Sequence, residues 1–536
     1  PSLGTPGSSP MVYSDLSYAY KRLRDTLGEE RVSKDHMEQV LYSHDFAPLP
    51  KQAAIQFRLS PDLMVLPKST QEVVRILRLG KELELPVVPR GGGTSLHAGS
   101  VPNLGGILLS TSLMKRVVEV DVDRRFLTIQ GGATWDEALE AAEAAGMSFP
   151  LEPLLRGAAT VGGHLSNGGV GIGSYKHGTF SRWVRSLEVV LPDGEVLETG
   201  ERAFDLGSRN YNLTNLFLGA EGTLGVITKA TLRLRAKPEG FAVAAYGFPD
   251  MATLGEGLRD LTQSPVTPYH IGFFDESHLI MQRAFQGYRA GARGPRAELE
   301  QAPRVPILPA AALVAFDGPK KQVEAEAKTT AQILTEAGGT KQEDFVAELL
   351  WAQRDQPYQS RRISGGLVAV EALVPLSRLE EAVAGATKLA RKMKTEAAFH
   401  GFLTDRSSAL LVPYLVTDER TLRGQLSLAF VERFHEFILG LQGHPVGLGF
   451  LATYNLAPMF GPLVAMMHGI KNSVDPDNVV NRGKLVETMA QPPPLYPFSD
   501  FIVPPGLMRF GLRFLSAFRR LMPSQRIITR LKKRGV

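Results

Sequence analysis

The chain has 536 residues, 43% of them hydrophobic and 21% charged, the balance of a globular protein long enough for two or three packed domains. A net charge of only +5 gives no global reason to expect nucleic-acid binding. The absence of cysteine excludes disulfides, thiolate nucleophiles, cysteine zinc sites and iron–sulfur clusters held by this chain, and fits a cytoplasmic location better than a disulfide-stapled secreted one.

Residues 1–10 (PSLGTPGSSP) lack the charged start and apolar stretch of a signal peptide and read as a vector-derived scar or flexible leader. An N-terminal helical segment is assigned to residues 11–58, because charged and apolar positions interleave at helical spacing over 14–41. Residues 61–67 (PDLMVLP) form a short strand closed by proline. Ser69-Thr70-Gln71-Glu72 then opens a helix with a capping box, and Val73, Val74, Ile76 and Leu77 supply its apolar face. Residues 86–89 (PVVP) give another strand, and strand and helix signals alternate until 226–234 (VITKATLRL). This first domain is assigned to 59–237, and a second to 238–486. The second holds strand candidates such as 311–316, helices such as 320–337, and a Gly-, Pro- and Arg-rich stretch, 287–306, that reads as a mobile loop. The whole is an α+β fold class.

A tail, 487–536, begins with three prolines and ends basic. Nine Arg and Lys residues lie beyond Met508 with no acidic residue among them, so the rest of the chain is slightly acidic. Met508, Leu512, Leu515, Phe518 and Met522 recur at helical spacing, Phe510 and Phe514 broaden their face, and Arg509, Arg513 and Arg520 flank it. This is the pattern of a basic amphipathic helix on an anionic membrane surface; packing on its own protein or on an acidic partner is the alternative. The interleaved apolar face argues against nucleic acid as the tail's partner. No run of about 18 apolar residues occurs, so nothing is expected to span a bilayer.

The chemistry lies in glycine-rich loops. Arg90-Gly91-Gly92-Gly93-Thr94-Ser95 follows a strand directly. Its glycines let the backbone turn and approach a ligand, successive N–H groups form an anion nest, and Thr94 and Ser95 add hydroxyl donors, so a pyrophosphate is the natural guest. Taken alone, the loop also reads as a plain glycine-rich turn. A second loop contains Thr160-Val161-Gly162-Gly163 and then Ser166-Asn167-Gly168-Gly169, followed by Tyr175-Lys176-His177-Gly178. A third, Glu221-Gly222-Thr223-Leu224-Gly225-Val226-Ile227, runs into a strand. None of them has the spacing of a Rossmann fingerprint or a Walker phosphate loop.

In this order, and with the turn Leu191-Pro192-Asp193-Gly194-Glu195 between them, the loops resemble the PCMH-type FAD-binding domain of the vanillyl-alcohol-oxidase superfamily. Asp475-Pro476-Asp477-Asn478-Val479-Val480-Asn481-Arg482-Gly483-Lys484 is similar to that family's closing motif, with Arg482 where proline is usual. The resemblance implies a two-subdomain FAD-binding domain followed by an α+β cap of the FAD-linked-oxidase type. It implies FAD as the cofactor, with Arg90, Gly91, Gly92, Gly93, Thr94 and Ser95 around the pyrophosphate. Thr160, Val161, Gly162, Gly163, Ser166 and Asn167 would flank the pyrophosphate and isoalloxazine, and Glu221, Gly222, Val226 and Ile227 the adenine and ribose. Some relatives bond the flavin to a histidine beside the first loop. His97 lies near but not at that position, so noncovalent FAD is expected.

On the substrate side the chain resembles the D-lactate dehydrogenase and glycolate oxidase FAD-subunit branch, whose members oxidise 2-hydroxy acids. Trp351, Arg354 and Glu371 stand where that branch has similar residues. Arg354 is the candidate clamp for a substrate carboxylate, and a surface ion pair is the alternative. Two of the branch's segments, His-x-Gly-Asp-Gly-Asn-x-His and Glu-His-Gly, are missing. This chain reads His400-Gly401-Phe402-Leu403-Thr404-Asp405 and Gly447-Leu448-Gly449-Phe450 instead. No metal site is therefore expected, since Phe and Leu cannot replace imidazole or carboxylate ligands. His400, Tyr454 and His468 remain as candidates to take a substrate proton, each equally readable as a hydrogen-bonded core residue.

Three functional readings stay open. The first is an FAD-dependent dehydrogenase of a 2-hydroxy acid or related alcohol, peripheral on the cytoplasmic face of a membrane, passing electrons to a quinone or to a redox partner subunit carrying iron–sulfur clusters. The second is a flavin-bearing electron-transfer or assembly subunit with a degenerate substrate site. The third is a redox-neutral transferase similar to alkyl-dihydroxyacetone-phosphate synthase.

Overall fold

The computed structural model describes residues 13–49, 57–201, 211–291, 304–354, 363, 365–418, 421–487, 489–490 and 501–533. The leader at 1–10 lies outside these residues. The continuous helical reading over 14–41 is corrected. The helix Tyr13–Leu27 ends at Gly28, whose φ of 96° no helix accepts, and a short strand Val32–Ser33 intervenes before the helix His36–Tyr42. Asp35 starts that second helix by accepting the backbone N–H of Met37 at 2.9 Å. Helical periodicity survives in the sequence, but Val32 is drawn into antiparallel pairing with Val65.

The first sheet has Ile107–Ser110 at its centre, with Leu63–Val65 and Val87–Arg90 parallel to it on either side. The helix Thr70–Glu82 covers it through buried Val73, Val74, Ile76 and Leu77. Ser69 Oγ accepts the N–H of Glu72 at 3.3 Å, the first half of the expected capping box. The return half goes one residue further back, where Glu72 accepts the N–H of Lys68 at 2.6 Å and binds Arg31 at 2.7 Å.

The second sheet is antiparallel and centred on Val226–Arg233, between Phe126–Gln130 and Val184–Val190. Its inward residues, among them Leu127, Ile129, Leu187 and Leu232, enclose a core around the fully buried Trp135. The glycine loops leave from strand ends: Arg90 closes one strand, Gly131 follows Gln130, and Val226 opens another.

A third, antiparallel sheet of nine strands among the described residues forms the cap, with Ala310–Gly318 between Gly240–Phe248 and His270–Asp275. Helices Met251–Gln263, Lys320–Glu336 and Leu379–Lys392 bury its outer face. The other face packs on loops of the first half, where Leu96 meets Phe402 and Leu410, and Ile172 meets Tyr269. Buried Asp317 fastens the two halves, accepting from Lys176 at 2.9 Å and from Arg235. The helix Glu276–Gly291 runs into the stretch read as a loop from 287, and residues 292–303 lie outside the described ones.

The tail forms the helix Pro505–Leu521 and a shorter one, Ile527–Lys533. It lies against the cap: Leu515 packs on the main core, Ser516 and Arg519 are buried, and Arg513 binds Glu432 at 3.3 Å and Glu436 at 2.7 Å. The grouping of Phe518 with Leu512 and Leu515 is thereby corrected. Leu515 turns inward, whereas Phe510, Phe514 and Phe518 stand in solvent. Among the described residues no helix is long and apolar enough to cross a membrane.

Candidate functional site

The glycine loops converge on one cleft. Every residue assigned to the cofactor lines it except Val161, which is fully buried in the core beneath. The loops approach at backbone distance. A Cβ on Gly91 would stand 2.1 Å from Thr160 Oγ1, and one on Gly92 only 1.8 Å from the carbonyl oxygen of Ala158. Thr160 also caps the helix Val161–Asn167, its hydroxyl accepting the N–H of Gly163 at 3.3 Å. Gly162 N–H bonds to the carbonyl of Gly131 at 2.7 Å, which fixes this loop to the second sheet.

Arg90 supplies positive charge at one wall. Its guanidinium lies 5.2 Å from the Tyr42 ring centre and beside Asp45, whose carboxyl burial pushes up to about 6. A cleft with glycine walls and one arginine suits a dinucleotide with a pyrophosphate.

Glu221 closes another wall in the left-handed region, at φ 50°. Its carboxylate faces away from solvent, accepting the N–H of Leu448 and of Gly449, each at 2.7 Å. Burial raises its pKa, and these two bonds oppose the rise. The closing segment meets it there. Asn481 donates to the Glu221 carbonyl at 2.6 Å, and Val87 exchanges backbone bonds of 2.9 Å with Val479 and Asn481. Asp475 holds that segment by accepting from Val479 and Val480, both at 2.9 Å.

A second chamber adjoins the first and shares Thr94, Ser95, His164 and Asn167 with it. Leu154, Leu155, Val170, Leu410 and Val446 supply its apolar walls, Thr94, Ser95 and Asn167 polar ones, and His97, His164 and Glu371 are its titratable groups. His97 is buried and His164 half-buried, and loss of hydration pushes both down to about 4, so both are neutral at pH 7. Nε2 of each ring is buried without a hydrogen-bond partner. The His164 ring lies edge-on to Trp135 and Phe180, at 5.8 and 4.4 Å. Gly449 explains part of the altered Glu-His-Gly region: at φ 52°, a side chain there would begin 1.7 Å from the His97 carbonyl oxygen.

Arg354, His400, Tyr454 and His468 are not brought together, and none lines either chamber. Arg354 is committed elsewhere, binding Glu152 at 2.6 Å and lying 4.1 Å over the Trp351 ring. His400 sits in the strand Ala397–Leu403, buried, pushed down to about 3, with its ring 5.0 Å from that of His278. Tyr454 lies in a buried group with His435, whose Nδ1 is 2.9 Å from Asn455 Nδ2. His468 rides, half-buried, on the helix Leu463–Val474. Of the chamber's own histidines, the sequence singled out only His97, as a residue beside the first glycine loop, and neither His97 nor His164 lies in the segments that correspond to the missing histidine motifs. Among the described residues no group of three or more potential ligands could hold a metal.

Residues 61–200 match the family model described as FAD binding domain, and 237–485 that of FAD linked oxidases, C-terminal domain. A D-lactate dehydrogenase of Archaeoglobus fulgidus is 30% identical over 433 residues, which cover 80% of this chain and 92% of that protein. The chain belongs to the PCMH-type FAD flavoprotein family. It is an FAD-dependent oxidoreductase. The glycolate oxidase subunit GlcD of Bacillus subtilis is 26% identical over 89% of this flavoprotein and 97% of its own length. Among solved structures, a 4-ethylphenol oxidase from Gulosibacter chungangensis superposes with a TM-score of 0.74 at 17% identity, covering 89% of this chain and 98% of the other. An alkyldihydroxyacetonephosphate synthase does so with 0.67 at 20%, covering 89% and 87%. At these identities the structural likeness concerns the fold.

Proposed function

We propose that FAD lies noncovalently along the glycine cleft and that the second chamber receives a 2-hydroxy acid or related alcohol for dehydrogenation. The observation that carries this reading is the continuity of the two chambers through Thr94, Ser95, His164 and Asn167. In it, residues 90–95 and 160–163 hold the pyrophosphate, and Glu221, Gly222, Val226 and Ile227 the adenosine side. Bound flavin supplies a hydride acceptor. The relatives named for lactate and glycolate support a 2-hydroxy acid.

His97 takes the place of the absent histidine segments in this reading. Neutral and with Nε2 unpartnered, it accepts the substrate hydroxyl proton there as the carbinol carbon is oxidised. Arg354 braces the cap through Glu152 and Trp351 instead of clamping a carboxylate. Electrons then leave to a membrane quinone or to a partner subunit that carries the clusters this cysteine-free chain cannot bind. The basic tail supports a position at a membrane surface.

The test is anaerobic mixing of the FAD-loaded protein with a panel of 2-hydroxy acids while following the oxidised-flavin absorbance. Bleaching by one of them supports the dehydrogenase. Full FAD occupancy with no bleaching by any acid or related alcohol overturns it in favour of an electron-transfer subunit.

A further inference from the structure

The helix Pro505–Leu521 spends one side on its own protein, through Leu515, Ser516 and Arg519. Its opposite side carries Leu507, Phe510, Phe514 and Phe518 in solvent, with Phe510 67% exposed. The rings form a ridge: Phe510 and Phe514 are 6.5 Å apart and Phe514 and Phe518 4.8 Å. This helix touches the turn Thr453–Asn455, where Arg509 donates to the carbonyl of Tyr454 at 3.1 Å. That turn leads straight into Leu456–Phe460 and Leu463–Val474. From 456 to 470 there is no Asp, Glu, Lys or Arg, and Leu463 and Met466 are exposed, Met466 by 66%.

We infer that these two neighbouring stretches form one bipartite surface that inserts into an anionic phospholipid bilayer. The inference rests on the membrane-surface reading of the tail and adds a second element, 456–470, which belongs to the cap. Charge selects the occupant. Arg509 and Arg513 are tied to the protein, but Arg520, Arg526 and Arg530 are exposed without an ion pair among the described residues. No acidic residue follows Asp500. Exposed apolar side chains on a helix that also carries the exposed Arg520, in a tail without acidic residues after Asp500, suit the boundary between headgroups and acyl chains.

The experiment is co-sedimentation of the FAD-loaded protein with vesicles of phosphatidylcholine mixed with phosphatidylglycerol, and of phosphatidylcholine alone. The expected result is binding to the mixed vesicles that added salt weakens. It should fall about tenfold or more both in Phe510→Ser/Phe514→Ser and in Leu463→Ser/Met466→Ser. Unchanged flavin spectra and thermal midpoints show that each variant is folded. Loss in the tail variant alone overturns the bipartite surface. No binding to either vesicle overturns docking altogether, and so does a dimer that only the apolar variants dissociate. Flavin reduction measured without vesicles is independent of these outcomes, so failure here is separate from failure of the dehydrogenase reading.

Discussion

The carboxylate of Glu221 accepts the backbone N–H of Gly449 at 2.7 Å across 228 residues of chain. One residue of the cofactor cleft thereby holds the cap segment that runs beneath His97. Replacing Glu221 with Gln turns one acceptor into a donor facing an N–H group in a buried place. Glu221→Gln should cost about 2–3 kcal/mol of stability and weaken FAD retention. The denaturant midpoint and the FAD dissociation constant measure the two effects.

Gly92 faces the Ala158 carbonyl with no room for a methyl group. Gly92→Ala must push the two loops apart, and the purified protein should hold little or no FAD. The ratio of flavin to protein absorbance reads this directly, and an unchanged ratio would show that the cofactor does not depend on this contact.

His97 should carry a pH signature. Its folded pKa of about 4 leaves it neutral, and so able to accept a proton, throughout the range above that value. The anaerobic flavin-reduction rate should be flat between about pH 6 and 8 and fall towards pH 4. His97→Gln should slow reduction by about a hundredfold or more without altering FAD content. A variant that reduces its flavin at the normal rate would move the proton acceptor elsewhere in the chamber.

Asp317 should set the acid limit of stability. Lys176, Arg235 and His177 hold its pKa well below the ordinary carboxylate value. Its folded pKa is depressed, so the stabilisation is complete above the unfolded value near 3.8 and is lost as pH falls through the folded value. Asp317→Asn should lower stability at pH 7 by about 3 kcal/mol, leaving two cations unpaired between the halves. It should also flatten the wild-type decline below about pH 4 in thermal unfolding.

The glycine loops were legible in the sequence because glycine is a residue type that marks its own position. A Cβ on Gly91 would meet the Thr160 hydroxyl, one on Gly92 the Ala158 carbonyl and one on Gly162 the Gly131 carbonyl, so glycine itself marks these positions by residue type, although the contacts that demand it are tertiary. The strand at 311–316 and the helix at 320–337 were legible because their periodicity is a property of a few adjacent residues. The helix break at Gly28 was not, because it depends on Val32 finding Val65.

The substrate side divides along the same line. That the histidine and Glu-His-Gly segments are missing follows from the sequence alone. What replaces them depends on distant partners: Arg354 on Glu152, 202 residues away, and Gly449 on the carbonyl of His97. The tail's amphipathic character was written in its spacing, but which face meets solvent depended on Glu432 and Glu436 capturing Arg513. Residue type and short-range periodicity let the sequence determine the glycine loops and the helices. Burial and ion pairing between remote segments left the chamber, its histidines and the exposed phenylalanine ridge to the tertiary structure.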